Sequence, residues 1–320
     1  MLLESVISDE CENKRPMREQ LALKLACSAT GKTVLRDRHM AYPLSVSPIF
    51  RLDADSCAQI SSTQTGKAQE KGDYRAYLYR MNTSPGLLAG DRIHTRLQLE
   101  AGSALYLADQ AATKVHAMPV GEANKPGQAQ VNYDIEVGDR ATLEFLPEPV
   151  ILFSEANLRQ TTEIALSPTA GLSWGEIILP GRIARGESYQ FRECWSTLKL
   201  KSLEGENWLV ETTRLLGKIN RFSPNRCIES ELYVPGAVIG LLVLCLPKTL
   251  CTREVLADLS ERIDALSAEP LQIASSTLPG NRGVFVRAVA QTTQTMQRSF
   301  KLAAGYVRQI RNQAPLPYSV

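Results

Sequence analysis

The sequence predicts a mainly β fold: stacked, solenoid-like layers of β-strands, with two α-helices from the C-terminal half packed on the side. Three observations predict it. Apolar residues recur with a period of two over most of the chain, a unit reading strand, Glu-x-Gly, strand returns, and two late segments carry apolar stripes with the period of a helix.

Residues 1–20, MLLESVISDECENKRPMREQ, are polar and charged. They lack a basic start leading into an apolar run and a small-residue cleavage site, so they are expected as a flexible tail and not as a secretory signal. One β-rich domain is expected over 21–311 and a C-terminal tail over 312–320. SSTQTGKAQEKGD at 61–73 has nothing to bury and reads as an exposed loop. Beyond it, Ile93, Thr95, Leu97 and Leu99 point one way and His94, Arg96, Gln98 and Glu100 the other, the pattern of a half-buried strand.

The repeat follows. LQLEAGSALYL (97–107) and YDIEVGDRATLEF (133–145) align Glu100 and Gly102 with Glu136 and Gly138, and IALSPTAGLSW (164–174) is a looser copy with Pro168 and Gly171 at its turn. A tight reversal calls for backbone angles that a Cβ disfavours, so these units read as hairpins or as stacked strand turns. Stacking would give a solenoid, hairpins an ordinary antiparallel sandwich. Late in the chain, GAVIGLLVLCL and GVFVRAV read as strands covered on both faces. Val255, Leu259, Ile263 and Leu266 form a helical stripe behind a Thr252 cap, and a segment near 286–311 repeats this with Met296, Phe300, Ala303, Val307 and Ile310.

Composition narrows the function. Lys plus Arg number 36 against 34 Asp plus Glu, too balanced for a dedicated polyanion binder, so no nucleic-acid partner is expected. The seven cysteines are scattered without a C-x-x-C pair, which suits reduced cytosolic thiols better than a thiolate metal site. The longest apolar run, 237–246, is shorter than the roughly 20 residues that span a bilayer. A soluble cytoplasmic protein without a membrane partner is the expectation.

SPGLLAGDRIHTRLQLEAG (84–102) has Gly86 and Gly90 ahead of Asp91 and then a strand, where a phosphate loop would need Gly-Lys-Ser/Thr and a helix. It is a turn, and Asp91 either closes it through its side chain or serves a metal or a reaction. His39, His94 and His116 lie apart, and none has a histidine or cysteine three or four residues away. Lys114, in DQAATKVHA, is a surface lysine or a functional one. Glu144 and Glu148 flank Leu-Pro in an apolar segment, where a carboxylate needs a cation, water or a metal. Glu176, Arg182, Arg185 and Glu187 cluster around glycines and read either as an internal ion-pair network or as the polar lining of a passage. No Ser-His-Asp order, Cys-His pair or carboxylate dyad stands out, so the residues favour a binding or assembly protein over an enzyme.

In their order and spacing these motifs resemble the urease accessory proteins called UreD or UreH. The resemblance runs from LALKLACSATGKTVLRDRHMAYPLSVSPIF through PGLLAGD, DQAATKVHA, LEFLPEP and GEIILPGRIARGE to VRAVAQTTQTMQRSFKLAAGYVRQ. Carried over residue by residue, it marks Gly86, Gly90, Asp91, Thr113, Lys114, Gly181, Arg182 and Gly186 as structural motif positions. It also makes Glu144, Glu148, Glu176 and Glu187 candidates for a transient Ni²⁺ path. Pro85 stands where the family has a glycine, Asp109 where a hydroxyl is common, His116 where an aromatic is usual, and the tail ends LPYSV in place of Pro-Arg-x-Trp. The resemblance implies a stacked β fold with two helices and no catalysis. It implies binding to apo-urease and a UreF-type partner, recruitment of a UreG-type GTPase, a complex that accommodates a dimer of this chain, and Ni²⁺ as transient cargo with no permanently bound cofactor. Two other readings of the residues stand beside it: a β-solenoid carbohydrate-active or transferase enzyme using Asp91, Glu144 and Glu148, and a plain β interaction module.

Overall fold

The computed structural model describes residues 18–50, 75–119, 127–217 and 237–315. The loop expected at 61–73, most of the tail at 1–20 and residues 316–320 lie outside the described residues. The strands are β1 (Leu21–Cys27), β2 (Thr33–Met40), β3 (Leu44–Val46), β4 (Ala76–Asn82), β5 (Arg92–Leu99), β6 (Ala104–Asp109) and β7 (Thr113–Val115), then β8 (Ala129–Val137), β9 (Thr142–Phe145), β10 (Val150–Leu152), β11 (Asn157–Leu166), β12 (Gly171–Leu179), β13 (Glu193–Ser202), β14 (Asn207–Leu216) and β15 (Val238–Cys245). Helix α1 (Arg253–Asp264), β16 (Leu271–Thr277), β17 (Gly283–Ala290) and helix α2 (Thr293–Ile310) complete the described chain. No helix among the described residues is long and apolar enough to cross a membrane.

Two sheets carry the body. The first has the order β14-β13-β11-β8-β5-β1-β2, and the path of the second runs β16-β17-β15-β12-β9-β6-β4-β3. Each repeated unit is an arch between them. Its first strand joins the parallel run β5-β8-β11 of the first sheet, and its second joins the parallel run β6-β9-β12 of the second. A hairpin would pair the two strands of a unit with each other. Here each strand pairs with its counterparts in neighbouring units, which is the solenoid alternative of the sequence reading. β7 and β10 pair in parallel with each other, and β10 also pairs with the end of β12, adding a short third wall.

Register corrects the repeat alignment. Leu99 pairs with Val137, so Glu100 stands opposite Gly138 and not opposite Glu136. The turns agree: Ser103 N donates to Glu100 O, Ala141 N to Gly138 O and Ala170 N to Ser167 O, at 3.0–3.1 Å. The left-handed position is held by Gly102 (φ 72°) in the first turn and by Arg140 (φ 55°) in the second. A non-glycine residue there costs about 1–2 kcal/mol, so a glycine match pointed to the wrong turn position. Gly171 likewise lies in β12 and not in its turn.

The period of two places the core. Leu97, Leu99, Ile135, Val137, Leu143, Phe145, Ile164 and Trp174 are among the residues buried between the sheets. The far face of the second sheet is covered by the helices, whose Leu256, Leu259, Ile263, Met296, Phe300 and Val307 pack with Ile177, Leu242 and Val286. Each such side chain contributes about 1.5–3 kcal/mol by leaving water. The helix expected from near 286 begins instead at Thr293, because 283–290 forms β17 against β15. Thr292 caps it, its hydroxyl accepting from Thr295 N at 3.1 Å. Thr292→Ala is expected to lower stability by about 1 kcal/mol in urea denaturation, without changing the folded-state helix content.

Candidate functional site

A cavity of about 60 Å³ lies between the two sheets, lined by polar groups that strand alternation aims inward. On β12, Trp174, Glu176 and Ile178 face the first sheet, while Ile177 packs among the helices. On β11 and β13, Gln160, Thr162, Cys194 and Ser196 point back at them, buried. The Glu176 carboxylate is therefore held by neutral donors from both sheets. Ser196 Oγ donates to Oε2 at 2.8 Å, Thr162 Oγ1 to Oε1 at 3.2 Å and Trp174 Nε1 to Oε1 at 3.4 Å. Burial pushes its pKa above the usual carboxylate range, and these hydrogen bonds oppose the shift only in part. Beside it, burial pushes the Cys194 thiol up to about 12, with the charges of Glu176 and Glu193 adding to the shift.

The opposite part of the lining is a closed ion pair. Arg80 on β4 donates through Nε and Nη2 to Asp109 on β6 at 2.7 and 3.1 Å, and through Nη1 to Tyr133 Oη at 2.7 Å. Its guanidinium lies 5.1–5.2 Å from the Phe145 and Tyr133 ring centroids. Burial works against the Arg80 charge, but Asp109 and Tyr133 outweigh it and raise the Arg80 pKa. Tyr133 is itself pushed up by burial.

The four candidate glutamates separate. Glu148, in the loop after β9, and Glu176 line the cavity. Among the described residues no cation forms an ion pair with either. Glu144 instead faces away, beneath α2. Arg75 Nη1 donates to its Oε2 at 2.6 Å, while Arg308 Nε and Nη2 donate to Oε1 and Oε2 at 2.8 and 2.9 Å. Arg308 Nη1 also donates to the carbonyls of Ala314 and Pro315, so the start of the C-terminal tail folds back onto α2. Glu187 is paired with Arg182, which lies 4.4 Å over the Phe153 ring. Hydrogen bonding from Arg182 lowers the Glu187 pKa. The ion-pair network read from Glu176, Arg182, Arg185 and Glu187 thus shrinks to one pair near the surface, with Glu176 in a different place.

The motif positions shape the surrounding turns. Asp91 Oδ2 accepts from Leu88 N at 2.8 Å and closes the PGLLAGD turn. Gly86 has φ 144°, and a Cβ there would stand 2.6 Å from Lys114 O, so only glycine lets this turn lie against β7. His116, in the position where an aromatic was expected, reaches Pro85 O at 3.1 Å and meets Phe153 edge-on at 5.0 Å. Thr113 lines the cavity and Lys114 is exposed. Gly90 and Gly186 hold left-handed turns, and Gly181 lets the chain pass Glu187. No group of three or more His, Cys, Asp or Glu side chains among the described residues is placed to hold a metal ion.

Sequence reading missed Arg75, Arg80, Tyr133, Gln160, Ser196 and Arg308. Two had a signal: Arg80 interrupts the apolar strand AYLYRMN, and Arg308 falls one turn beyond Ala304 on the buried stripe of α2.

Comparison with known proteins fits this architecture. Residues 17–319 match the family model described as UreD urease accessory protein. The chain is 40% identical over 298 residues to the urease accessory protein UreD of Trichodesmium erythraeum (strain IMS101), covering 93% of this chain and 97% of that one. It is 25% identical over 298 residues to the UreD protein of Cenarchaeum symbiosum (strain A), covering 92% and 98%. With the UreD protein of Lysinibacillus sphaericus (strain C3-41) it shares 29% identity over 209 residues, 65% of this chain and 74% of that one.

Proposed function

We propose, from the premise that this chain belongs to the UreD urease accessory protein family, that it serves urease maturation as a non-catalytic scaffold and metallochaperone. In this reading it binds apo-urease and a UreF-type partner, joins a UreG-type GTPase through that complex, and passes Ni²⁺ toward the urease active site in the cytoplasm. The observation that carries the reading is the pair of carboxylates, Glu148 and Glu176, in a cavity between the sheets with no cation paired to either among the described residues.

Oxygen donors few in number hold a divalent transition metal loosely enough to release it, where a tetrahedral thiolate set would trap it. The raised pKa of Glu176 adds proton linkage: a cation entering there displaces a proton, and a proton returning favours release. Arg80 and Asp109 neutralise one another and leave the net attraction to the two glutamates. An enzymatic reading is disfavoured by placement. Of the acids it would use, Asp91 closes a turn and Glu144 is sealed between arginines, so the three do not share a cleft.

Co-expression with apo-urease and a UreF-type partner tests the scaffold role: co-purification with both is expected, and association with neither would overturn it. Glu148→Ala is expected to lower the nickel content of urease while the complex still assembles. Nickel content unchanged in an intact complex would leave the protein as an interaction module only.

A further inference from the structure

A second, separate cavity lies at the turn end of the solenoid, about 230 Å³ in volume, where the β11–β12 turn, the 3₁₀ turn Lys248–Leu250 and the β16–β17 turn meet. Lys248 N donates to Pro168 O at 2.8 Å and ties two of these turns together. The polar side chains that line it include Lys248, Arg282 and Asn281, beside Trp208 and Cys251. Lys248 and Arg282 form no ion pair among the described residues. Two acids at the rim accept from neutral groups and do not bond to either cation: Asp139 accepts from the hydroxyls of Ser167 and Thr169, and Glu206 from Trp208 Nε1 at 3.2 Å. The Cys251 thiol donates to Leu246 O at 3.2 Å, and burial raises its pKa, keeping it a neutral wall.

The Arg282 guanidinium lies 4.4 Å over the ring of the buried Trp208. Stacking of this kind fixes the plane of the guanidinium while leaving its N–H edge available, and a planar fork beside a lysine matches a tetrahedral oxyanion. We propose that this cavity is a binding site for a phosphate group, free or carried by a small phosphate monoester, held by Arg282 and Lys248. Neither cation would suit a metal ion, and with no carboxylate paired to them among the described residues their charge is left for an anionic ligand.

The test uses the full chain in phosphate-free, low-salt buffer, with inorganic phosphate titrated against tryptophan emission. Saturable binding with a Kd below about 1 mM is expected, with the signal lost in Trp208→Phe. Lys248→Gln and Arg282→Gln should each weaken binding about tenfold or more, the scale of one charge-assisted hydrogen bond. Glycerol phosphate serves as a second arm: tighter binding than inorganic phosphate assigns the site to monoesters, and equal binding assigns it to the free ion. Lys248 is exposed, so its variant is expected to fold. No saturation, an equal response to chloride at matched ionic strength, or unchanged affinity in Lys248→Gln would overturn the assignment. Because no urease partner takes part, the result is independent of the maturation reading.

Discussion

Glu144→Ala is expected to cost about 3–5 kcal/mol, the loss on removing one partner of a buried ion pair. The side chain of Glu144 is 2% exposed, and those of Arg75 and Arg308 are 3% and 1% exposed. Without the carboxylate, two guanidiniums stay buried with no ion-pair partner among the described residues. Against a total stability of about 5–15 kcal/mol, that loss should appear as a strongly lowered urea midpoint and poor soluble yield. Replacing all three residues by methionine removes the charges together and is expected to restore most of the stability, less about 1 kcal/mol for each hydrogen bond that Arg308 makes to the tail carbonyls. If Glu144→Ala denatures at the wild-type midpoint, the carboxylate is not sealed as described. The same pair of variants separates roles, since a stable triple variant that still supports nickel transfer would confine Glu144 to stability.

Glu176→Gln should act in the opposite sense on stability and function. The folded-state pKa of Glu176 is raised above its ordinary value of 4.5 by burial. Its protonated form is therefore the better fit to the fold. The contribution to stability is fully present below the unfolded pKa and is lost as pH rises through the folded one. The glutamine does not titrate, and the Ser196 hydroxyl, which faces Oε2, can turn to accept from its amide nitrogen while its oxygen, at the Oε1 position, still accepts from Thr162 and Trp174. Thermal unfolding should show the variant close to wild type in acid and more stable by about 1 kcal/mol at pH 8, the scale of one imperfectly compensated buried polar group. Urease activation in cells should fall, since the amide is a weaker ligand for a divalent cation and carries no charge. A stability difference that does not grow with pH would remove the basis for a perturbed Glu176, and full activation by the variant would remove Glu176 from the nickel path.

Legibility in the sequence was uneven for physical reasons. The alternation over 93–99 and the stripe of Leu259 and Ile263 each report one element's own buried face, and both faces are where the pattern put them. The Glu-x-Gly repeat located the arches but misplaced their register, because Arg140 accepts a left-handed conformation that glycine was assumed to mark. The four glutamates looked alike in sequence, each an acid among apolar residues or glycines. Their fates diverged through partners that local pattern does not contain.

By itself the sequence determined a β-rich stack with two late helices, the turn character of PGLLAGD, and the UreD family to which the whole pattern belongs. Only the tertiary structure decided which carboxylates are neutralised and which are not. Glu144 meets Arg75 and Arg308 across 69 and 164 residues of chain, whereas Glu176 meets, among the described residues, neutral donors from the facing sheet and its own strand. A period of two tells which residues share a strand face. Whether that face looks into a cavity or under a helix is set by contacts between distant segments, and there the electrostatics of this protein are fixed.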